Sequence, residues 1–585
     1  MSLASRLPQE RVAMTRLTLL VQVCLLALVA SVLAGGVWAA RWYWTRRSLN
    51  WQVRRGLDEL ATADTPAKLR SALDRWEAQT RPNWQPRLDD FINLLFREYP
   101  LDDRRVRLLL TSVAGADYGN RRDDWQRWYD AWRRRRQGLP LQVPRKEAVT
   151  LKPRWVAPVG LTAWFTTVLP VDGQIYVASL GESFEDPADP ADGVVRVEGA
   201  SGAAELLFMA PPEHRGPRDV IGIAAGDEGL FVACDNGSVY YVDAAGQVLW
   251  HTHVGDPIVA PPLAADTNLD GVTDAIVVTR GAKVVALNGR QGKTSWVSSL
   301  RRPATGSTLL GATLALGNVL GLAEPELFVT LPPGQIEVLA LRTGRCLWQH
   351  ELAAGTVAGT TCGTGQPGAV PPAYAGDRNG SIWLLAAAGR TLEAVRWQVP
   401  ATRRDETLVA ALRTLSNPHA LLPNSLLLAC LTGDYTAGRG GLCALTADAE
   451  YWRLPLQGAV WGTPAVADLN GDGRAEIVVA SIEPRKNGAT GGAVTVVSAA
   501  GHAVQRVELD APIECSPVVA DVDGDGRLEV LIADQSGRLH CFATDGFGPV
   551  QWGQYGGDSH NTRNAVNAYD YGQRPYGYQW QWRAK

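Results

Sequence analysis

The chain has 585 residues, 46% apolar and 20% charged, with 59 glycines and 35 prolines. That is the composition of a folded protein too long for one ordinary domain unless it is a repeat array, and it favours many short strands between turns. The net charge of −3 is unevenly placed, at +2 over residues 1–40, +8 over 41–150 and −13 over 151–585, and an acidic body argues against nucleic acid as its partner.

After a short tail (1–16), residues 17–40 (LTLLVQVCLLALVASVLAGGVWAA) contain no charge. A helix of roughly 20 residues crosses a bilayer, whereas the apolar region of a cleaved signal peptide is usually about 7–15 residues long, so this segment reads as a transmembrane anchor. Arg6, Arg11 and Arg16 precede it; Arg41, Arg46, Arg47, Arg54 and Arg55 follow. That bias favours a cytoplasmic C-terminal side, although long domains override it.

Residues 41–137 are poor in glycine, and their apolar residues recur at helical spacing. Helix starts near 66, 86, 102 and 121 give two αα-hairpins with a HEAT- or TPR-like period. Thr65–Pro66 caps the first of them, and Arg133–Arg136 end the last, facing solvent, lipid headgroups or an acidic partner. Residues 138–153 read as a linker.

From 154 to 555 the chain repeats itself. Trp250, Trp296, Trp348, Trp397, Trp452 and Trp552 each end a strand-like run, at spacings of 46, 52, 49, 55 and a double step of 100. Gln505 fills the missing place and Phe208 a degenerate first one. A second strand-like run precedes each, as in GSVYYVDAAG and GAVTVVSAAG. Units of four short strands at this period predict a mainly β fold, an eight-bladed β-propeller with a seven-bladed ring as the alternative. The recurring Trp is expected to fill the gap between neighbouring blades. A tail, 556–585, follows the last unit.

The body's "dGxvyalda…G…lW" units resemble the PQQ-like propeller repeat, and its DxDGDGxxE units resemble the FG-GAP/VCBS repeat of integrin-type and bacterial surface propellers. Both cover about 400 residues and imply the fold more firmly than the function. The residues WGQYGGDSHNT after the last unit resemble the W-x-x-x-x-x-D-x-x-x-T segment that flanks such propellers, and are expected to lie against the first blade and help close the ring.

The acidic loops carry their own chemistry. Asp521, Asp523 and Asp525 stand at positions 1, 3 and 5, with Gly526 permitting a turn, the Arg527 carbonyl at 7 and Glu529 at 9. A second loop offers Asp468, Asn470, Asp472, the Arg474 carbonyl and Glu476; a third offers Asp266, Asn268, Asp270, the Val272 carbonyl and Asp274. Alternate oxygen ligands in a tight loop suit structural Ca2+. An EF-hand would carry its Glu at position 12 and run into a helix, whereas Val277, Val479 and Ile532 stand there inside strand-like runs. A fourth copy, from Leu316, keeps the flanks and is read as having lost its carboxylates.

Of eight cysteines, Cys24 falls in the apolar span, and Cys430 and Cys443 are placed to pair within one hairpin. There is no CxxC, and no two cysteines are adjacent, so the vicinal disulfide that carries the cofactor of quinoprotein dehydrogenases is missing. His251 and His253 have the spacing to share a metal, but an exposed strand face is the plainer reading. No catalytic residue is identified. The expectation is a membrane-anchored, extracytoplasmic, calcium-binding propeller that binds or scaffolds a protein or polysaccharide. The alternatives are a lyase-like carbohydrate-active or PQQ-dependent enzyme, or an envelope assembly factor resembling BamB.

Overall fold

Strands of five or six residues cannot bury a face alone, so a chain of such strands is stable only where each sheet packs on the next. In the computed structural model the described residues are 49–61, 88–99, single positions between 72 and 129, and most of 148–563. The larger gaps in that last stretch are 183–191, 212–217, 302–311, 353–358, 363–371, 398–406, 417–424 and 433–439. The apolar span 17–40 lies outside the described residues, among which no helix is long and apolar enough to cross a membrane. Contacts divide the chain into two units, one of residues 1–64 and 71–109 and one of residues 65–70 and 110–585 that contains every strand.

In the first unit, residues 49–61 are helical. Leu49, Val53, Leu57 and Leu60 recur at helical spacing and are buried, as expected of a core-facing stripe. A Cβ on Gly56 would lie 2.6 Å from the Trp76 ring, so the helix admits Trp76 only where a side chain is absent. The Trp76 Nε1–H donates to the Gln52 carbonyl at 2.9 Å. A second helix, Leu88–Glu98, buries Phe91, Ile92 and Leu95.

Among the described residues the strands form eight antiparallel sheets. Sheet 1 runs from Val168–Val171 to Ala204–Met209, sheet 2 from Val220–Ala225 to Val248–His253, and sheet 3 from Leu263–Ala265 to Thr294–Ser299. Sheet 4 runs from Thr313–Gly317 to Cys346–Glu351, sheet 5 from Thr361–Cys362 to Thr391–Trp397, and sheet 6 from Thr407–Leu408 to Glu450–Leu456. Sheet 7 spans Ala465–Ala467 to Ala503–Leu509, and sheet 8 spans Val518–Ala520 to Arg538–Ala543. First strands are buried almost throughout, while last strands alternate with solvent, as in Thr294–Ser299. In sheets 2 to 5 the first strand is therefore innermost.

The core lies between sheets. Separate apolar clusters join sheets 1 and 2, 2 and 3, 3 and 4, 4 and 5, 6 and 7, and 7 and 8, and another joins sheet 8 back to sheet 1. This is the arrangement of a β-propeller. The recurring Trp lies in these seams as expected. Trp250 of sheet 2 covers Gly292 of sheet 3, where a Cβ would come within 2.4 Å of the ring, and its Nε1–H donates to the Gly289 carbonyl at 2.7 Å. Trp296 and Trp452 meet Gly344 and Gly501 in the same way.

Sheet 8 departs from the sequence reading. Its outermost strand is Lys152–Pro158, from the opposite end of the body, paired antiparallel with Arg538–Ala543. The seam residue there is Trp155, which covers Gly202 of sheet 1 and donates to the Gly199 carbonyl at 2.9 Å. Trp552, assigned from its spacing to that place, instead lies in an innermost strand, Val550–Trp552, added to Ala465–Ala467 of sheet 7. It is fully buried. In sheet 6, Cys430 stands opposite Leu442 and Cys443, which is buried, stands opposite Ala429.

The tail does not stop at the first blade. After Val550–Trp552, the Gly553 carbonyl accepts the Val519 N–H of sheet 8. The carbonyls of Ser559, His560, Thr562 and Arg563 then accept from Ala225, Ala264, Leu316 and Cys362, innermost residues of sheets 2 to 5, at 2.7–2.9 Å. Asn561 donates to the Ile223 and Pro262 carbonyls, both at 2.9 Å. Asp558 ties the turn by accepting the N–H groups of His560 and Thr562 and the Thr562 hydroxyl. Residues 550–563 thus form an inner collar. Replacing Trp552 with Ala is predicted to cost about 3–5 kcal/mol of stability; denaturant unfolding of the variant measures it, and a loss below about 1 kcal/mol would show that the collar does not support the ring.

Candidate metal centre

Each acidic loop joins the first and second strands of its sheet, at the end nearest the axis. Loop 521–529 leaves Val518–Ala520 and enters Glu529–Ala533. Asp521 accepts the N–H groups of Gly524 at 2.8 Å and Gly526 at 2.9 Å, while Asp523 and Asp525 accept those of Asp525 and Arg527. One carboxylate oxygen from each of Asp521, Asp523 and Asp525 lies within 4.8 Å of the others.

Loop 266–274 has the same folding, with Asp266 accepting from Asp270 and Gly271. Its Leu269 has φ 63°, where the other two loops have Gly471 at 75° and Gly524 at 76°. A left-handed leucine is strained, and its side chain is largely exposed. In loop 468–476, Asp468 accepts from Gly471 at 2.7 Å and Asn470 donates to Glu476 at 3.3 Å. Asp472 and Arg474 lie outside the described residues.

The acid at position 9 has a role of its own. Glu529 accepts the Val522 N–H at 3.1 Å, Glu476 the Leu469 N–H at 2.8 Å, and Asp274 the Thr267 N–H at 3.2 Å. The fourth copy keeps this clasp, since Glu326 accepts the Val319 N–H at 2.7 Å. The reading that this copy had lost its carboxylates is therefore wrong at Glu326, which ends the alignment of 318–326 on 468–476. All four acids are buried.

Burial dominates the electrostatics. It pushes Asp274 and Asp521 up to about 6, Glu326 to about 7 and Glu529 to about 8, against the weaker opposing effect of the hydrogen bonds each accepts. The charges of Asp525 and Asp523 add to the shift at Asp521. Three converging carboxylates beside a half-desolvated acid suit an oxygen-loving cation, whose charge would favour their ionised forms. Sequence reasoning missed one group here: Arg154, on the closing strand, donates to Asp523 at 2.5 Å and to Glu529 at 3.2 Å.

Other candidates resolve into structure. The His251 ring stacks on Tyr240 at 4.4 Å, while His253 bonds the Asn236 carbonyl through Nε2 and accepts the Gly255 N–H at Nδ1. His540 pairs with Asp534 at 2.8 Å, but Asp534 also accepts the Ser536 and Arg538 N–H groups and so shapes the turn. Asp377 does the same in sheet 5 with Ser381 and the Trp383 indole.

Known proteins resemble parts of this chain. A PQQ-type family model described as outer membrane protein assembly factor BamB matches residues 210–389, and the FG-GAP repeat model matches 460–497. The outer membrane protein assembly factor BamB of Nitrosomonas eutropha is 27% identical over 133 residues, 23% of this chain and 29% of that protein. That of Shewanella oneidensis is 27% identical over 150 residues, 25% of this chain and 34% of that protein. The chain thus spans about a third of the length of the curated relatives it matches. Among solved structures, BamB from Moraxella catarrhalis is similar with a TM-score of 0.43 at 14% identity, over 67% of this chain and 100% of that one. Quinohemoprotein alcohol dehydrogenase from Comamonas testosteroni is similar at 0.45 and 14%, over 68% and 77%.

Glu326 gives a test of the clasp away from the three acidic loops. Its carboxyl is raised by burial, so the stability it contributes is complete below the unfolded value near 4.5 and is lost as pH rises through about 7. Glu326→Gln keeps an oxygen for the Val319 N–H and removes the ionisation. Between about pH 5 and 8 the melting temperature of the variant is predicted to rise relative to wild type; a constant difference would contradict the burial assignment.

Proposed function

We propose, from the premise that the chain is a propeller built of PQQ-like and FG-GAP repeats, that it is an eight-bladed, membrane-anchored scaffold of the cell envelope. Its acidic loops bind structural Ca2+, and its partners, protein or polysaccharide, dock on the blade loops. The observation that carries the reading is the collar. A propeller enzyme works at the channel mouth, whereas here residues 553–563 bond the inner edges of sheets 2 to 5 and 8. The charged groups of the collar are engaged within it: Asp558 holds Thr562, and the Arg563 guanidinium lies over the Tyr555 ring at 4.7 Å. A capped channel favours a binding module over a carbohydrate-active or quinone-dependent enzyme. The likeness to proteins described as outer membrane protein assembly factor BamB supports an envelope assembly role.

In this reading residues 17–40 anchor the chain and the propeller lies in the periplasm or outside the cell. Calcium would be held by Asp521, Asp523, Asp525, the Arg527 carbonyl and Glu529, and by the corresponding groups of the other two loops. It neutralises carboxylates that otherwise repel one another.

Protease applied to cells whose inner membrane is intact, after the outer envelope is opened, tests both parts. The propeller is expected to be cut without lysis, and faster after calcium chelation. Protection until the inner membrane breaks would place the body in the cytoplasm and contradict the envelope role. Equal cleavage rates with and without chelator would remove calcium as a stabilising clip.

A further inference from the structure

In every sheet but sheet 5, the outermost described strand carries a β-bulge. The register slips by one residue at Leu207, Leu249, Ser295, Leu347, Tyr451 and Val504, each just before the Phe, Trp or Gln of the repeat. In sheet 8 the slip falls between Pro153 and Trp155, and the bulged residue is Arg154. A bulge re-aims the side chain it carries. The bulge lies at the end of the sheet that also carries the acidic loop, since Lys152 pairs with Ala543 and Ala543 with Glu529. Arg154 accordingly reaches Asp523 and Glu529, two of the groups assigned to calcium. The acidic loops of sheets 3 and 7 have Ser295 and Val504 at the corresponding bulge.

We infer that Arg154 is a built-in competitor for calcium at loop 521–529, a guanidinium that neutralises Asp523 and Glu529 until the metal displaces it. The inference rests on the calcium reading above. Arg154 occupies Asp523 Oδ2 and Glu529 Oε1, so a metal that takes either oxygen competes with the guanidinium for it. Because Arg154 belongs to the strand that closes the ring, filling this site releases one tie between that strand and the loop.

Calorimetric titration of the full chain with Ca2+ tests this, using wild type, Arg154→Gln and Val504→Arg. Arg154→Gln is expected to tighten one site by about tenfold or more, the effect of removing a cation within a few ångströms, and adding Asp521→Asn should abolish that site. Val504→Arg, which transplants the competitor to sheet 7, is expected to weaken another site to a similar extent, and it tests the idea even where Arg154→Gln folds poorly. An unchanged or weaker affinity in Arg154→Gln, with calcium still bound, would overturn the competitor while leaving the calcium sites standing. No calcium binding in any variant would overturn the calcium reading itself.

Discussion

A ring of sheets brings one bare strand edge per sheet to its axis, and each edge ends in N–H groups that need acceptors. In this protein the chain supplies them from its own tail. Ser559, His560, Thr562 and Arg563 offer carbonyls to four successive sheets, and Gly553 serves a fifth. Asn561 adopts φ 57° and Arg563 φ 48° along this path, the strained backbone needed to step from one radial edge to the next. Beyond these inner contacts, the strand Lys152–Pro158 adds the outer edge of sheet 8 from the start of the body. The sheets are thus held from both ends of the body.

The acidic loops sit on that frame and divide their labour. Position 9 is a clasp on the backbone of position 2 in four loops, whether or not the remaining acids are present. The clasp is therefore kept at Glu326, where positions 1, 3 and 5 carry no carboxylate. The carboxylates at positions 1, 3 and 5 are the part that suits a cation, and in loop 521–529 they converge beside an arginine of the closing strand. The converging carboxylates and the closing strand meet at that place.

The repeat was legible because a Trp that packs on the adjoining sheet marks one sheet of chain by its spacing. Trp250, Trp296 and Trp452 follow that rule. Spacing failed at Trp552 because the last sheet borrows its outer strand from residues nearly four hundred positions earlier, and an unbroken count cannot anticipate a joined ring. The three acidic loops could be read from local spacing alone. Glu326 was missed since Asn318, Leu320 and Leu322 stand at positions 1, 3 and 5 of its loop, although its distance from Asn318 matches that of Glu476 from Asp468. Arg154 had no local signal, because its role depends on a bulge and on a loop at the far end of the sequence. The neck helix at 49–61 did carry one, in Leu49, Val53, Leu57 and Leu60, close behind an apolar span that drew attention first.

The central claim is that the inner edges are closed by the tail, and backbone hydrogen exchange of the full chain reads it most directly. Peptides containing Ala225, Ala264, Leu316 and Cys362 should exchange as slowly as the middle strands of their sheets, and truncation after residue 549 should release them selectively. Fast exchange of these amides in the intact protein would mean that the axis is open, and the account of a capped, scaffolding propeller would fail.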